Sequence, residues 1–270
     1  MSGILHRSLR LLLCLALPLT LAGCQETPTG RSQLALVPDE TMTELGRSAF
    51  TQMQQQGQVL HAGPAAERVQ CISRQITQAV QEVYGPVPQP AQWAVAVFDD
   101  PEPNAFALPG GYIGVHSGLL QVADNDAQIA AVIGHEVGHV LARHGNERMT
   151  QKLGIRIGLV LFGLLSDVES EQFLRMLGLG AQVGIALPFS RHHEREADLM
   201  GLHLMTAAGY APEESAAFWR NMAALGGEQP PALLSTHPNH EDRIAQLSAQ
   251  IAAVRSRYGR RSAPPCTAAP

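Results

Sequence analysis

The chain lacks the features that mark several broad function classes. It has no excess of basic residues: 19 Lys and Arg stand against 24 Asp and Glu, for a net charge of −5. No basic stripe runs along it, which argues against nucleic acid as a partner. Cysteine is sparse, with 4 in 270 residues, and neither Cys71 nor Cys266 is placed as a nucleophile or metal ligand. No apolar run is long enough to span a hydrocarbon core of about 30 Å. What remains is ordinary for a globular protein, 45% hydrophobic and 16% charged, and the length suits one medium domain with appendages.

The N-terminus reads as a targeting segment. Arg7 and Arg10 form a charged region, Leu11 to Leu21 an apolar one, and the segment ends Leu21-Ala22-Gly23-Cys24. That ending resembles a bacterial lipobox, in which residues 1–23 are removed and Cys24 is lipid-modified; the alternative is an ordinary secretory signal with an incidental cysteine. Gln25, where Asp would favour the inner membrane, points to the outer one. The expectation is therefore a lipoprotein of the bacterial cell envelope, anchored in the outer membrane and facing the periplasm. Residues 24–40 read as a polar tether and residues 259–270 as a flexible tail. Cys14 leaves with the signal, so Cys71 and Cys266 remain as a candidate disulfide pair in an oxidising compartment.

Along the domain, Met42 to Met53 and Val69 to Val83 carry apolar residues at helical spacing, and Gly85-Pro86 ends the second helix. Trp93 to Phe98 reads as a strand. Asn104-Ala105-Phe106-Ala107-Leu108 and Tyr112-Ile113-Gly114-Val115 flank Pro109-Gly110-Gly111 as a β-hairpin. Its first strand is either an edge on which a substrate peptide adds as an extra strand, or a closure of the sheet. Leu153 to Leu165 and Leu177 to Leu187 are apolar and each roughly 16–20 Å long as a helix, too short to span. They read either as a buried helical pair or as a lid, 153–187, over a cleft.

His135-Glu136-Val137-Gly138-His139 constrains function most. Residues four apart on a helix share a face, so two imidazoles can meet one metal ion, and Glu136 can reach a water bound to it. This is the arrangement of a zinc hydrolase that cleaves peptide bonds. Asp124 or Asn125 can cap the helix and Gly145 can stop it. Ile129, Ala130, Ile133, Val137, Val140 and Leu141 form an apolar back, while Ala131, Gly138 and Ala142 leave room for metal and substrate. A third ligand is expected from a helix capped by Ser190 and closed by Gly209. Its inward stripe, extended backwards, places Glu194 inside and Arg195, Glu196 and His192 outside; His193 is the rival ligand. Asp198, one turn on, is placed to hydrogen-bond a ligating imidazole.

His135-Glu136-x-x-His139, followed 55 residues later by Glu194-x-x-x-Asp198, resembles the HtpX and CAAX-prenyl-protease type of zinc metallopeptidase. More narrowly it is similar to the bacterial outer-membrane lipoprotein members without a helical-repeat domain. Thr29-Gly30-Arg31-Ser32-Gln33-Leu34, Asn104 to Gly111, and Thr236-His237-Pro238 with Arg243 behind it also match that subgroup. The resemblance implies an α+β, mostly helical, zincin-like domain over residues 41–258, with a small sheet beside the motif helix. It implies one Zn2+ held by His135, His139 and Glu194, with Glu136 as catalytic base. His237 would either donate a hydrogen bond to the developing oxyanion or occupy the metal's fourth site in a latent state; the alternative is a simple turn histidine. Unfolded or misassembled envelope proteins are the expected substrates, held along Asn104, Ala105, Phe106 and Ala107. The rival class is a lipoprotein chaperone or assembly factor whose zinc site is latent or structural.

Overall fold

The computed structural model describes residues 24–87, 90, 92–165, 189–225, 232–237 and 240–266. The expected signal segment 1–23, the second apolar stretch Leu177–Leu187 and Pro238 lie outside the described residues.

The fold is α+β and mostly helical. A short antiparallel pair, β1 (Cys24–Glu26) and β2 (Ser32–Leu34), precedes two helices, α1 (Asp39–Gln56) and α2 (Pro64–Tyr84). A three-stranded sheet follows, with β5 (Tyr112–His116) in the centre, parallel to β3 (Ala94–Phe98) and antiparallel to β4 (Ala105–Leu108). The turn between β4 and β5 requires positive φ at Gly110 and Gly111 (89° and 87°), which glycine adopts without a Cβ penalty. After the short α3 (Leu119–Val122) come α4 (Asp126–Leu141), α5 (His144–Leu165), α6 (Arg191–Ala207), α7 (Glu213–Ala224), α8 (Ala232–Thr236) and α9 (His240–Tyr258).

Helix α4 carries the His-Glu-x-x-His motif and is the centre of the core. Asn125 caps it, accepting the Gln128 amide at 3.0 Å. Its Ile129, Ala130, Ile133, Val137 and Leu141 pack into one hydrophobic cluster with α2, α6 and α7. The helix stops before Gly145, at Leu141, because Arg143 takes a left-handed conformation (φ 56°) and its carbonyl accepts the amides of Asn146 and Glu147 to start α5. Gly138 serves a different purpose from the one expected. A Cβ there would meet the Ala197 carbonyl oxygen at 3.0 Å, so the missing side chain makes room for α6, not for substrate. Gly201 of α6 answers it: a Cβ at that position would lie 2.6 Å from the His135 backbone nitrogen.

The ends of the described chain are held more firmly than their composition suggests. Residues 24–38 are not a solvated tether, because α5 side chains satisfy their backbone: Leu36 donates to Thr150 Oγ1 at 2.9 Å, and Asn146 brackets Val37 through both its amide atoms. The tail up to Cys266 is likewise tied down. Ala263 donates to the Gly209 carbonyl at 3.0 Å, Gln75 reaches the Pro264 carbonyl at 2.9 Å, and Cys266 is disulfide-bonded to Cys71. The apolar stretch from Leu153 is the second half of α5, with Leu153, Ile155 and Ile157 exposed. Among the described residues no helix is long and apolar enough to cross a membrane.

Gly201→Val should therefore cost at least about 1–3 kcal/mol through overpacking, since the obstructing atom is backbone and cannot rotate away. Urea unfolding checks this; a variant as stable as the parent would contradict the close α4–α6 contact.

Candidate metal centre

His135 and His139 project from α4, Glu194 from the first turn of α6, and His237 from the residue after α8. One ligand atom from each lies within 4.8 Å of every other, and all four residues are buried. The Nε2 atoms of His135 and His139 are 3.0 Å apart. His237 Nδ1 is 3.2 Å from His135 Nε2 and 3.0 Å from Glu194 Oε1. Glu194 stands 3.5 Å from both motif imidazoles. Ser190 sets the start of α6 by accepting the His193 amide at 3.2 Å, and so turns Glu194 inward on the first turn.

This donor set fits a metal ion on its own chemistry. Asp198 Oδ1 lies 3.0 Å from His135 Nδ1, an acceptor for a proton on that nitrogen that leaves Nε2 free for a metal. His139 Nδ1 is 2.9 Å from His144 Nδ1 and is occupied in the same way. Two Nε2 lone pairs then face each other across 3.0 Å beside a carboxylate, an arrangement that repels unless a cation lies between them. Burial draws the His135 imidazole down to about 4, with Arg243 adding to the effect, so the ring is neutral as a ligand must be. Burial opposes ionisation of Glu194, but His237, His139 and Arg243 hold its carboxyl well below the usual range.

Arg243 organises the inner side. It is 1% exposed, donates to Asp198 from Nε at 2.7 Å and from Nη2 at 2.6 Å, and pairs with Glu194 at 3.0 Å. Its guanidinium stacks 3.6 Å over the ring of Trp219. Glu136 is different: its Oε1 is buried without a hydrogen-bond partner, 3.5 Å from His237 Nε2. Burial pushes its carboxyl up to about 7, an affinity suited to exchanging a proton near neutrality. Phe189 covers the centre, its ring centroid 4.1 Å from that of His139 and 5.5 Å from that of His237. A cavity of about 190 Å³ opens beside it, lined by Ala107, Leu108, Pro109, His139, Val140 and Phe189 among others.

The other sequence expectations fall on both sides of this centre. Among the described residues no strand pairs with the outer edge of β4, whose Ala107 amide faces Glu136. His193, the rival to Glu194, points elsewhere and bonds Glu147 at 3.0 Å. Glu196, expected to face solvent, is 7% exposed and bonded to His144 at 3.1 Å. The helical stripe does not reveal this, because the N-terminal turn covers Glu196 from a distant part of the chain; the Thr29-Gly30-Arg31 stretch, matched to the resembled subgroup but given no role, was the available signal.

Comparison with known proteins agrees with the geometry. Residues 66–251 match Peptidase family M48. The chain belongs to that family. It is 42% identical over 161 residues to the mitochondrial metalloendopeptidase OMA1 of Arabidopsis thaliana, covering 58% of this chain and 31% of that protein. The corresponding Schizosaccharomyces pombe protein is 35% identical over 158 residues, with 58% and 46% covered. The β-barrel assembly-enhancing protease of Escherichia coli strain K12 is 30% identical over 159 residues, with 55% and 32% covered. The chain thus spans less than half the length of these relatives. The match is to the family as a whole and does not single out the HtpX-like or lipoprotein subgroup. The expected outer-membrane location is overturned: relatives at 42% and 35% identity are named as mitochondrial, and a cysteine after a short apolar run is too slight a signal to stand against them.

Arg243→Met should leave two buried carboxylates without their cation and cost about 3–5 kcal/mol in the presence of chelator. Chemical unfolding measures it, and a loss under about 1 kcal/mol would show that Arg243 is not what balances Glu194 and Asp198.

Proposed function

We propose that this chain is a zinc-dependent endopeptidase acting on unfolded or misassembled proteins. The observation that carries the reading is the convergence of His135, His139 and Glu194, with the unpartnered Oε1 of Glu136 alongside. His135 and His139 through Nε2 and Glu194 through its carboxylate would hold the ion, and Asp198 would orient His135. When bound, zinc supplies a Lewis acid that polarises a scissile carbonyl and acidifies water.

The rest of the chemistry belongs to the chain. Glu136 accepts a proton from the attacking water at its free carboxylate oxygen and delivers it to the leaving amine. The outer edge of β4, along Asn104 to Ala107, would hold a peptide by backbone hydrogen bonds, which tolerate varied side chains and so suit unfolded substrates. The name of one relative, an assembly-enhancing protease, is in keeping with substrates that have failed to assemble. His237, with Nε2 toward Glu136, is placed to stabilise the developing oxyanion once it moves off the ligand cluster.

A second reading is favoured by one observation. His237 Nδ1 sits among the other three donors, so this conformation offers four protein ligands, the number typical of closed sites. A latent enzyme opened by displacement of His237 accommodates that geometry, as does an assembly factor with a structural metal.

Glu136→Gln should retain zinc and fold while cleavage of unfolded casein falls by about 10²–10⁴-fold; full activity would refute the assignment. His135→Ala and His139→Ala should lose both zinc and cleavage. His237→Ala separates the remaining readings. Zinc retained with cleavage kept or raised identifies a latch, and zinc lost together with no chelator-sensitive cleavage by the parent protein identifies a structural site.

A further inference from the structure

Outside the metal centre, the largest buried group of titratable side chains among the described residues is His144, Glu147, His193 and Glu196 with Arg31. The proposed function uses none of them. They lie between His139 and the turn that joins β1 to β2, and their hydrogen bonds have a single consistent direction.

A His139 that presents Nε2 to a cation carries its proton on Nδ1, 2.9 Å from His144 Nδ1. The facing His144 atom then accepts, which leaves the His144 proton on Nε2, 3.1 Å from Glu196 Oε2. The carboxylate can only accept, so the order of donors is set from the metal outward. Glu196 is itself immobilised from the N-terminal turn. Arg31 Nε donates to Oε2 at 2.6 Å, and the hydroxyls of Thr27 and Thr29 both donate to Oε1. The same guanidinium reaches Glu147 at 2.8 Å and 3.2 Å, Glu147 receives His193 Nε2 at 3.0 Å, and the His193 ring stacks on His144 with centroids 4.4 Å apart. The turn is closed by its own backbone, Thr27 bonding the Arg31 carbonyl at 2.9 Å and Gly30 the Thr27 carbonyl at 2.9 Å, with Gly30 at φ 85°. His144 is 0% exposed, so water does not compete for these bonds.

We propose that the Thr27–Arg31 turn is a positioning element for the metal centre: through Glu196 and His144 it fixes the tautomer and ring orientation of His139. The inference rests on His139 being a metal ligand. Asp198 with Arg243 does the same for His135 from the opposite side, so each motif histidine is held by a carboxylate that an arginine holds in turn. The difference is distance along the relay, since His139 is reached through a second imidazole and from a segment more than 100 residues away in sequence. A consequence is that ordering of the N-terminal turn and metal affinity are linked.

The test measures the zinc affinity of the full chain by chelator competition and the visible spectrum of the cobalt-substituted protein. Each variant is also unfolded thermally in excess chelator. Glu196→Gln, and independently the pair Thr27→Val and Thr29→Val, should bind zinc about 10–100-fold more weakly and shift the cobalt spectrum. The pair Thr27→Ser and Thr29→Ser, which keeps both hydroxyls, should restore the parent affinity. If Glu196→Gln does not fold, the threonine pairs carry the test alone. A lower melting temperature with unchanged zinc affinity would mean that the turn is only a structural anchor and would overturn the proposal. A parent protein that binds no zinc would overturn the metal centre as well, whereas a parent that binds it with variants indifferent to these changes overturns the relay alone.

Discussion

Two imidazole nitrogens facing each other across 3.0 Å, with a carboxylate beside them, are the constraint on which the rest of the structure turns. Left to themselves these groups repel, and their burial removes the water that would otherwise soften the repulsion. They stay together because the surrounding side chains commit every other polar atom on the two rings. Asp198 takes the far side of His135 and His144 the far side of His139. What is left over is the inward nitrogen of each ring beside the Glu194 carboxylate, and a divalent cation is the natural partner.

That arrangement requires α4 and α6 to lie close enough for Glu194 to reach the motif histidines. Gly134, Gly138 and Gly201 remove the side chains that would hold the helices apart. The small residues of the motif thus act in packing before they act in chemistry. Arg243 completes the balance from α9, a fully buried cation shared by Asp198 and Glu194 and stacked on Trp219. A buried arginine of this kind is tolerable only because both of its partners are charged and well aligned.

The substrate side of the centre is built with less redundancy. Glu136 has one buried oxygen with no partner, β4 has one edge with no strand among the described residues, and Phe189 and His237 cover the ligands. Unsatisfied polar groups and free strand edges cost stability unless something else occupies them. Asp198, Arg243, His144 and Glu196 are bonded through all their side-chain polar groups, and the half of the site that faces the cavity is not so satisfied. This asymmetry is what a site that holds an ion permanently and a peptide transiently needs.

Local spacing was enough to identify the helix of the motif, its cap to within Asp124 or Asn125, the β4–β5 hairpin and the inward turn of Glu194, because each depends on a periodicity or cap within a few residues. Candidate ligands could be named for the same reason: chemistry that needs two imidazoles on one helical face leaves a short signature. Glu196 could not be placed that way, since its side of α6 is buried only by a turn about 165 residues earlier in the chain. Nor could the roles of Gly138, Arg31 and Arg243, or the anchoring of residues 24–38 and of the tail. Those were decided by tertiary structure alone, because whether a polar side chain meets solvent or a distant partner depends on what packs over it, and no local pattern carries that information.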